Sequence, residues 1–178
     1  MVAVLAVSAT ANAGFLGKTV QATAIFPDLA APTVTGGPIS KVVGPGIEFN
    51  TGEFGAFFGP SFDFADATIT ITHLPSSHSP ATFNGYKFFD SLGAISTITA
   101  VTILSDSTGF FSGTPSRVFF DANDIFVNFQ SLSFVGQINP RIVLSVQFQG
   151  DARVPEPVMI GLFGIGLVGL GLARRKKS

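Results

Sequence analysis

Ala67-Thr68-Ile69-Thr70-Ile71-Thr72, written ATITIT, is the stretch from which the fold is read. Isoleucine and threonine alternate with a period of two, which puts the isoleucines on one face of an extended chain and the threonines on the other. Ile142-Val143-Leu144-Ser145-Val146-Gln147-Phe148-Gln149 repeats the pattern, with Ser and Gln outward. Ile125, Val127 and Phe129 alternate with Phe126, Asn128 and Gln130 in the same way. Further strand-like pieces are 19–26, 39–43, 98–104 and 117–120. All are short and rich in β-branched or aromatic residues.

The pieces are separated by turn-forming residues: Gly36-Gly37-Pro38, Gly44-Pro45-Gly46, Gly59-Pro60, Pro75-Ser76-Ser77, Asn84-Gly85, Ser112-Gly113-Thr114-Pro115 and Asn139-Pro140. Glycine and proline at such points break regular structure. No amphipathic helix is expected before the C-terminal tail, only a turn over 89–94. No internal repeat of solenoid length occurs. Many short strands at this spacing predict an all-β fold, an antiparallel β-sandwich of jelly-roll-like type.

Composition narrows the chemistry. Charged residues make up 12% of the chain and there is no Cys, so disulfides and thiol catalysis are excluded. Twenty Phe, one Tyr and no Trp describe a core built by packing. Sugars commonly stack on Trp or Tyr, so that scarcity speaks against a strong lectin. Residues 14–157 hold six Lys and Arg against eleven Asp and Glu, a net of −5, and the four basic residues of the tail bring the chain to −1. An acidic body does not attract nucleic acid, and none is expected as a partner.

Candidate sites are few. His73 and His78 stand in HLPSSH between two strands, where a turn with two solvated imidazoles is the plain reading; two imidazoles alone are an incomplete zinc site. Asp63 and Asp66 are close enough in sequence to suggest paired carboxylates, although acidic residues at a strand end are more often turn formers. Asp121, Asn123 and Asp124 supply three oxygen-bearing side chains in four residues, to which Asp106 or Asp90 could add from another loop. That set is a weak calcium candidate, against which stands an ordinary Asx turn. No catalytic residue is assigned, and the body is expected to be non-enzymatic and without a cofactor.

The two ends have a different character. Residues 1–13, MVAVLAVSATANA, are apolar and then small, and Ala11-Asn12-Ala13 has the A-x-A form that signal peptidase reads, with cleavage before Gly14. The positive charge that opens a signal peptide is missing before Lys18, so the true start is expected upstream. At the other end Val154-Pro155-Glu156-Pro157 precedes sixteen residues, 158–173, with no charged or polar side chain. As a helix that run spans roughly 24 Å, short of a bilayer core of about 30 Å. Snorkelling basic side chains and local thinning can close the gap. Glycine at 161, 164, 166, 169 and 171 suits a membrane better than a soluble helix. Arg174, Arg175, Lys176 and Lys177 then act as a cytoplasmic stop. The expected organisation is signal peptide 1–13, β-sandwich domain 14–150, linker 151–157, a single transmembrane helix 158–173 and a basic tail 174–178.

Pro-Glu-Pro, apolar run and basic end, in that order at the C-terminus, resemble the PEP-CTERM sorting signal of Gram-negative bacteria. The resemblance covers about the last 25 residues. It implies recognition by an exosortase, an integral-membrane transpeptidase-like enzyme, with removal of the tail near the motif. It also implies export to the cell surface or extracellular matrix and a link to exopolysaccharide and biofilm. Under it the β domain is a structural or adhesive component. A carbohydrate-binding module, with calcium-dependent binding as one form of it, or a permanently anchored surface protein are the alternatives.

Overall fold

The computed structural model describes residues 13–55 and 59–150. Residues 1–12 of the expected signal peptide, and the whole of the expected linker, transmembrane helix and basic tail, lie outside the described residues.

The alternation read from the sequence is realised as burial. Strand β5, Thr68–Thr72, buries Ile69 and Ile71 completely and leaves its threonines on the outer side. Strand β10, Arg141–Phe148, buries Ile142, Leu144, Val146 and Phe148. Strand β9, Asp124–Asn128, buries Ile125 and Val127, and Phe129 follows in phase. Strands β1 (Thr19–Phe26), β2 (Val34–Val42), β7 (Ile98–Asp106) and β8 (Val118–Phe120) stand where strand-like pieces were expected. Strands β3 (Ile47–Phe49), β4 (Ser61–Phe64) and β6 (Gly85–Phe89) were not expected.

The ten strands form two antiparallel sheets, ordered β2-β1-β6-β9-β8 and β3-β4-β5-β10-β7. The chain changes sheet between β2 and β3, β5 and β6, β6 and β7, β7 and β8, and β9 and β10. As a result β5 pairs with β10 in one sheet while β6 pairs with β9 in the other. The inner faces meet through aromatic side chains. Phe62 of β4 lies edge-on to both Tyr86 and Phe88 of β6, each at 4.8 Å between ring centroids. Phe15, Phe49, Phe54, Phe111 and Phe134 complete the same core. Removing each such ring from water stabilises the fold by roughly 1.5–3 kcal/mol.

Two of the expected breaks are not breaks. β2 runs straight through Gly36-Gly37-Pro38, pairing Gly36 with Ala24 and Ile39 with Ala22 across a register shift. It is an edge strand, and there the missing N–H of proline costs no ladder hydrogen bond. Asn84-Gly85 likewise opens β6 instead of turning the chain. A Cβ on Gly85 would collide with the Val127 carbonyl oxygen, so glycine is demanded by the close approach of β9.

The outer face of the first sheet is also aromatic in part. Lys87 is opposite Phe126, which is opposite Phe119. The two phenylalanines stack at 4.8 Å, and the Lys87 ammonium lies 5.0 Å from the Phe89 ring and 5.6 Å from that of Phe126.

Candidate functional site

One end of the sandwich gathers the chain's two imidazoles. β5 stops at Thr72, and the next residue, His73, donates its backbone N–H to Pro140 at 2.9 Å. His78 donates its own to Leu132 at 2.8 Å, and Phe134 donates back to Ser76 at 2.8 Å. These bonds clamp the 73–79 loop onto the segment that follows β9. His73 is thereby buried, with 2% of its surface exposed, and His78 is half-buried. His73 stacks on Phe134 at 3.9 Å and His78 on Phe129 at 5.2 Å. The expectation of two solvated imidazoles in a turn is therefore corrected. The aromatic floor beneath them comes from residues more than fifty positions away, which no local pattern reveals.

Each ring has a defined surround. His73 Nδ1 lies 2.7 Å from the Leu74 carbonyl oxygen, so it carries the hydrogen. Ser76 Oγ stands further off, at 3.4 Å from the same nitrogen. His78 Nδ1 faces Asn84 Oδ1 at 3.4 Å, and the Asn84 amide is held in that orientation by donating to Ser79 at 3.1 Å. The two Nε2 atoms face each other at 2.8 Å. Burial lowers the affinity of both rings for a proton; His73 falls to about 4, with the hydrogen bond to Leu74 opposing the shift and His78 adding to it. Burial thus favours the neutral form of both rings.

The carboxylates considered from the sequence are dispersed. Asp66 precedes β5 and His73 follows it, so by strand rise the two are about 20 Å apart. Asp63 sits within β4 opposite Thr70. Asp63, Asp66 and His73 therefore share no site. Asp121 forms an Asx turn, accepting from the backbone of Asn123 and Asp124 at 2.9 Å each. Asp124 pairs with Lys87 at 2.8 Å. Asp90 accepts from Leu92 and Ile95 within its own loop. Asp106 accepts from Thr108, Gly109, Phe111 and Ser112. Burial raises its pKa, but these bonds, that of the Thr108 hydroxyl foremost, outweigh it and bring the group to about 2. Among the described residues no three His, Cys, Asp or Glu side chains come together as metal ligands. Tyr86, the one tyrosine of the chain, is 1% exposed and belongs to the core, so it offers no surface for a sugar to stack on.

Of the signal-peptidase residues, Ala11 lies outside the described residues, whereas Ala13 and Gly14 are within them. Gly14 fits against Asp66 so closely that a Cβ would collide with its carboxylate and carbonyl oxygens. Phe15 then donates to the Asp66 carbonyl at 2.8 Å and packs edge-on to Phe64 and Phe148. Sequence reading missed two ordering groups. Glu48, 7% exposed, accepts from the backbone of Gly44 and Phe64 at 2.9 and 2.7 Å. Arg117 donates to the carbonyls of Asn128 and Gln130. Neither stands in a recognisable motif; only the fold shows what they bridge.

Val154, Pro155, Glu156, Pro157 and the basic cluster 174–177 lie outside the described residues, but the comparisons reach them. The description of the PEP-CTERM protein-sorting motif matches residues 153–177. No curated protein and no solved structure matches the chain. The body of the molecule is thus a two-sheet β domain, and the chain that carries it ends in a PEP-CTERM protein-sorting motif.

Proposed function

We propose that this is an exported protein delivered by its C-terminal segment, with the β domain as cargo. The observation that carries the reading is the sorting motif at 153–177. In this reading 158–173 crosses the inner membrane as a helix and Arg174 to Lys177 hold its cytoplasmic end. The two prolines disfavour helix just outside the bilayer and present Val154 to Pro157 as an extended segment. Glu156 is the one charge between Arg153 and Arg174 and serves as the handle for an exosortase. The enzyme removes the tail, and the β domain passes to the cell surface or matrix of a Gram-negative bacterium.

The β domain acts as a non-catalytic structural or adhesive component alongside exopolysaccharide, and its rolled β5-β6 and β9-β10 ribbon is read as jelly-roll-like. Support comes from the dispersal of Asp63, Asp66 and His73 and from the engagement of Asp90, Asp106, Asp121 and Asp124 in their own loops and ion pair. Support for a delivered domain beginning at Gly14 comes from the docking of Gly14 and Phe15 against the second sheet. Intact mass of the mature protein from its native host tests the reading. A chain running from Gly14 to within 155–157 is expected. A chain that still ends at Ser178 would replace sorting by permanent anchoring.

A further inference from the structure

The bonds around the two imidazoles have room for one added proton but not for two. His73 Nδ1 donates to the Leu74 carbonyl at 2.7 Å, which leaves a lone pair on its Nε2. His78 Nε2 donates to that lone pair at 2.8 Å. In the neutral pair His78 Nδ1 is then a lone pair as well, and it faces Asn84 Oδ1 at 3.4 Å. Turning the Asn84 amide over brings no relief, because its Nδ2 donates to the Ser79 carbonyl at 3.1 Å. One proton on His78 Nδ1 completes the set: it donates to Asn84, and every other bond stays. A second proton has only His73 Nε2 to go to, the acceptor of the bond between the rings. Two cationic N–H groups would then meet head to head between Phe129 and Phe134, where aromatic rings replace water.

We propose that the His73–His78 pair is an acid-operated latch, which accepts one proton while the 73–79 loop is closed and opens the loop on the second. The loop is suited to opening by itself. The backbone bonds of His73 to Pro140, His78 to Leu132 and Phe134 to Ser76, with the Ser77–Ser133 bridge, all join it to one segment, 132–140. Its release uncovers Phe129 and Phe134. The surroundings offer the second charge no compensation. Among the described residues no carboxylate is hydrogen-bonded to either ring. Tyr86, which packs on Phe129, keeps its proton. Arg117 is bound to the carbonyls of Asn128 and Gln130, Asp106 is enclosed by its own loop, and Arg141, next to Pro140, is exposed. Burial already lowers the proton affinity of both rings, and His78 lowers that of His73 further. In the open loop both return to the ordinary value of 6.5, so opening takes up protons. The closed form therefore has its full advantage above that pH and loses it as pH falls below, by up to about 10-fold per pH unit for each proton gained.

The test is hydrogen exchange of the full chain in detergent between about pH 7 and about pH 5, above the ordinary carboxylate range. Each rate is divided by that of an unstructured amide to give an opening constant. His73 and His78 are the only histidines of the chain, so a response in this window is theirs. The opening constants at the amides of His73, His78 and Phe134 should rise at least about 5-fold from about pH 6 to about pH 5, while those within β10 stay level. Level constants at the loop, or a rise shared equally by β10, would overturn the latch. The double variant His73→Phe, His78→Phe keeps aromatic cover and should make the loop indifferent to pH; the same rise in it would equally overturn the proposal. Should that variant not fold, nitrogen-15 shifts of the imidazoles in the unaltered chain decide the matter. The first proton should appear on His78 Nδ1 with His73 unchanged. Two rings that both take up protons while the loop amides stay protected would show that there is no latch.

Discussion

Two loops at the same end of the second sheet handle polar groups in opposite ways. The Asp106 loop leaves β7 and surrounds one carboxylate with donors from Thr108, Gly109, Phe111 and Ser112. The 73–79 loop leaves β5 and buries two imidazoles against Phe129 and Phe134. Asp106 keeps its charge because the Thr108 hydroxyl and backbone N–H groups replace water. The imidazoles lose theirs because aromatic rings do not. One loop is ordered by hydrogen bonds around a charge; the other is clamped by backbone hydrogen bonds and buries its imidazoles by packing. The difference decides which perturbations each will feel.

The most damaging change should be Phe129→Ala. Phe129 is fully buried and touches both imidazole rings, Tyr86, Phe111 and Phe134. We expect a loss of about 3–5 kcal/mol in urea unfolding. A loss under about 1 kcal/mol would mean that packing does not hold the imidazole end. Gly85→Ala should follow, at about 1–3 kcal/mol, because the added methyl meets the backbone of β9. Hydrogen exchange should then rise along β6 and β9 more than along β5 and β10.

Asp106→Ala leaves several backbone donors without their acceptor and should cost about 2 kcal/mol. The same residue gives a pH signature. Its folded pKa of about 2 lies below the ordinary aspartate value of 3.8. The stability it contributes is therefore complete above about 3.8 and is lost as pH falls toward 2. In Asp106→Asn the acid limb of stability against pH should flatten over that window; an unchanged limb would remove the carboxylate from the account of the loop. Smallest of all is Lys41→Ala. The Lys41–Glu53 pair at 3.2 Å is partly exposed, and its loss should cost no more than about 0.5 kcal/mol.

Legibility followed periodicity. β5 and β10 alternate cleanly and were readable, as was β9 with its outward Asn128. β6 was not, because GYKFF begins on a glycine that looks like a turn and carries Phe89 on its outer face. The outward Phe89 ring lies beside Lys87, a contact no period-two rule anticipates. β3 and β4 are only three and four residues long, too short for a pattern to declare itself. Asp121 was readable as an Asx turn because the hydrogen bonds of such a turn are local. The imidazole site was not, since its floor, Phe129 and Phe134, and its orienting Asn84 arrive from other parts of the chain.

By itself the sequence determined the antiparallel β class, the Phe-packed interior and the C-terminal sorting motif. Each is written in nearest neighbours or in the order of a short segment. Only the tertiary structure decided which strands share a sheet, that Gly85 lies inside a strand, and that His73 and His78 leave water to face one another. Those outcomes depend on burial, and burial is settled by residues distant in sequence that meet only when the two sheets close.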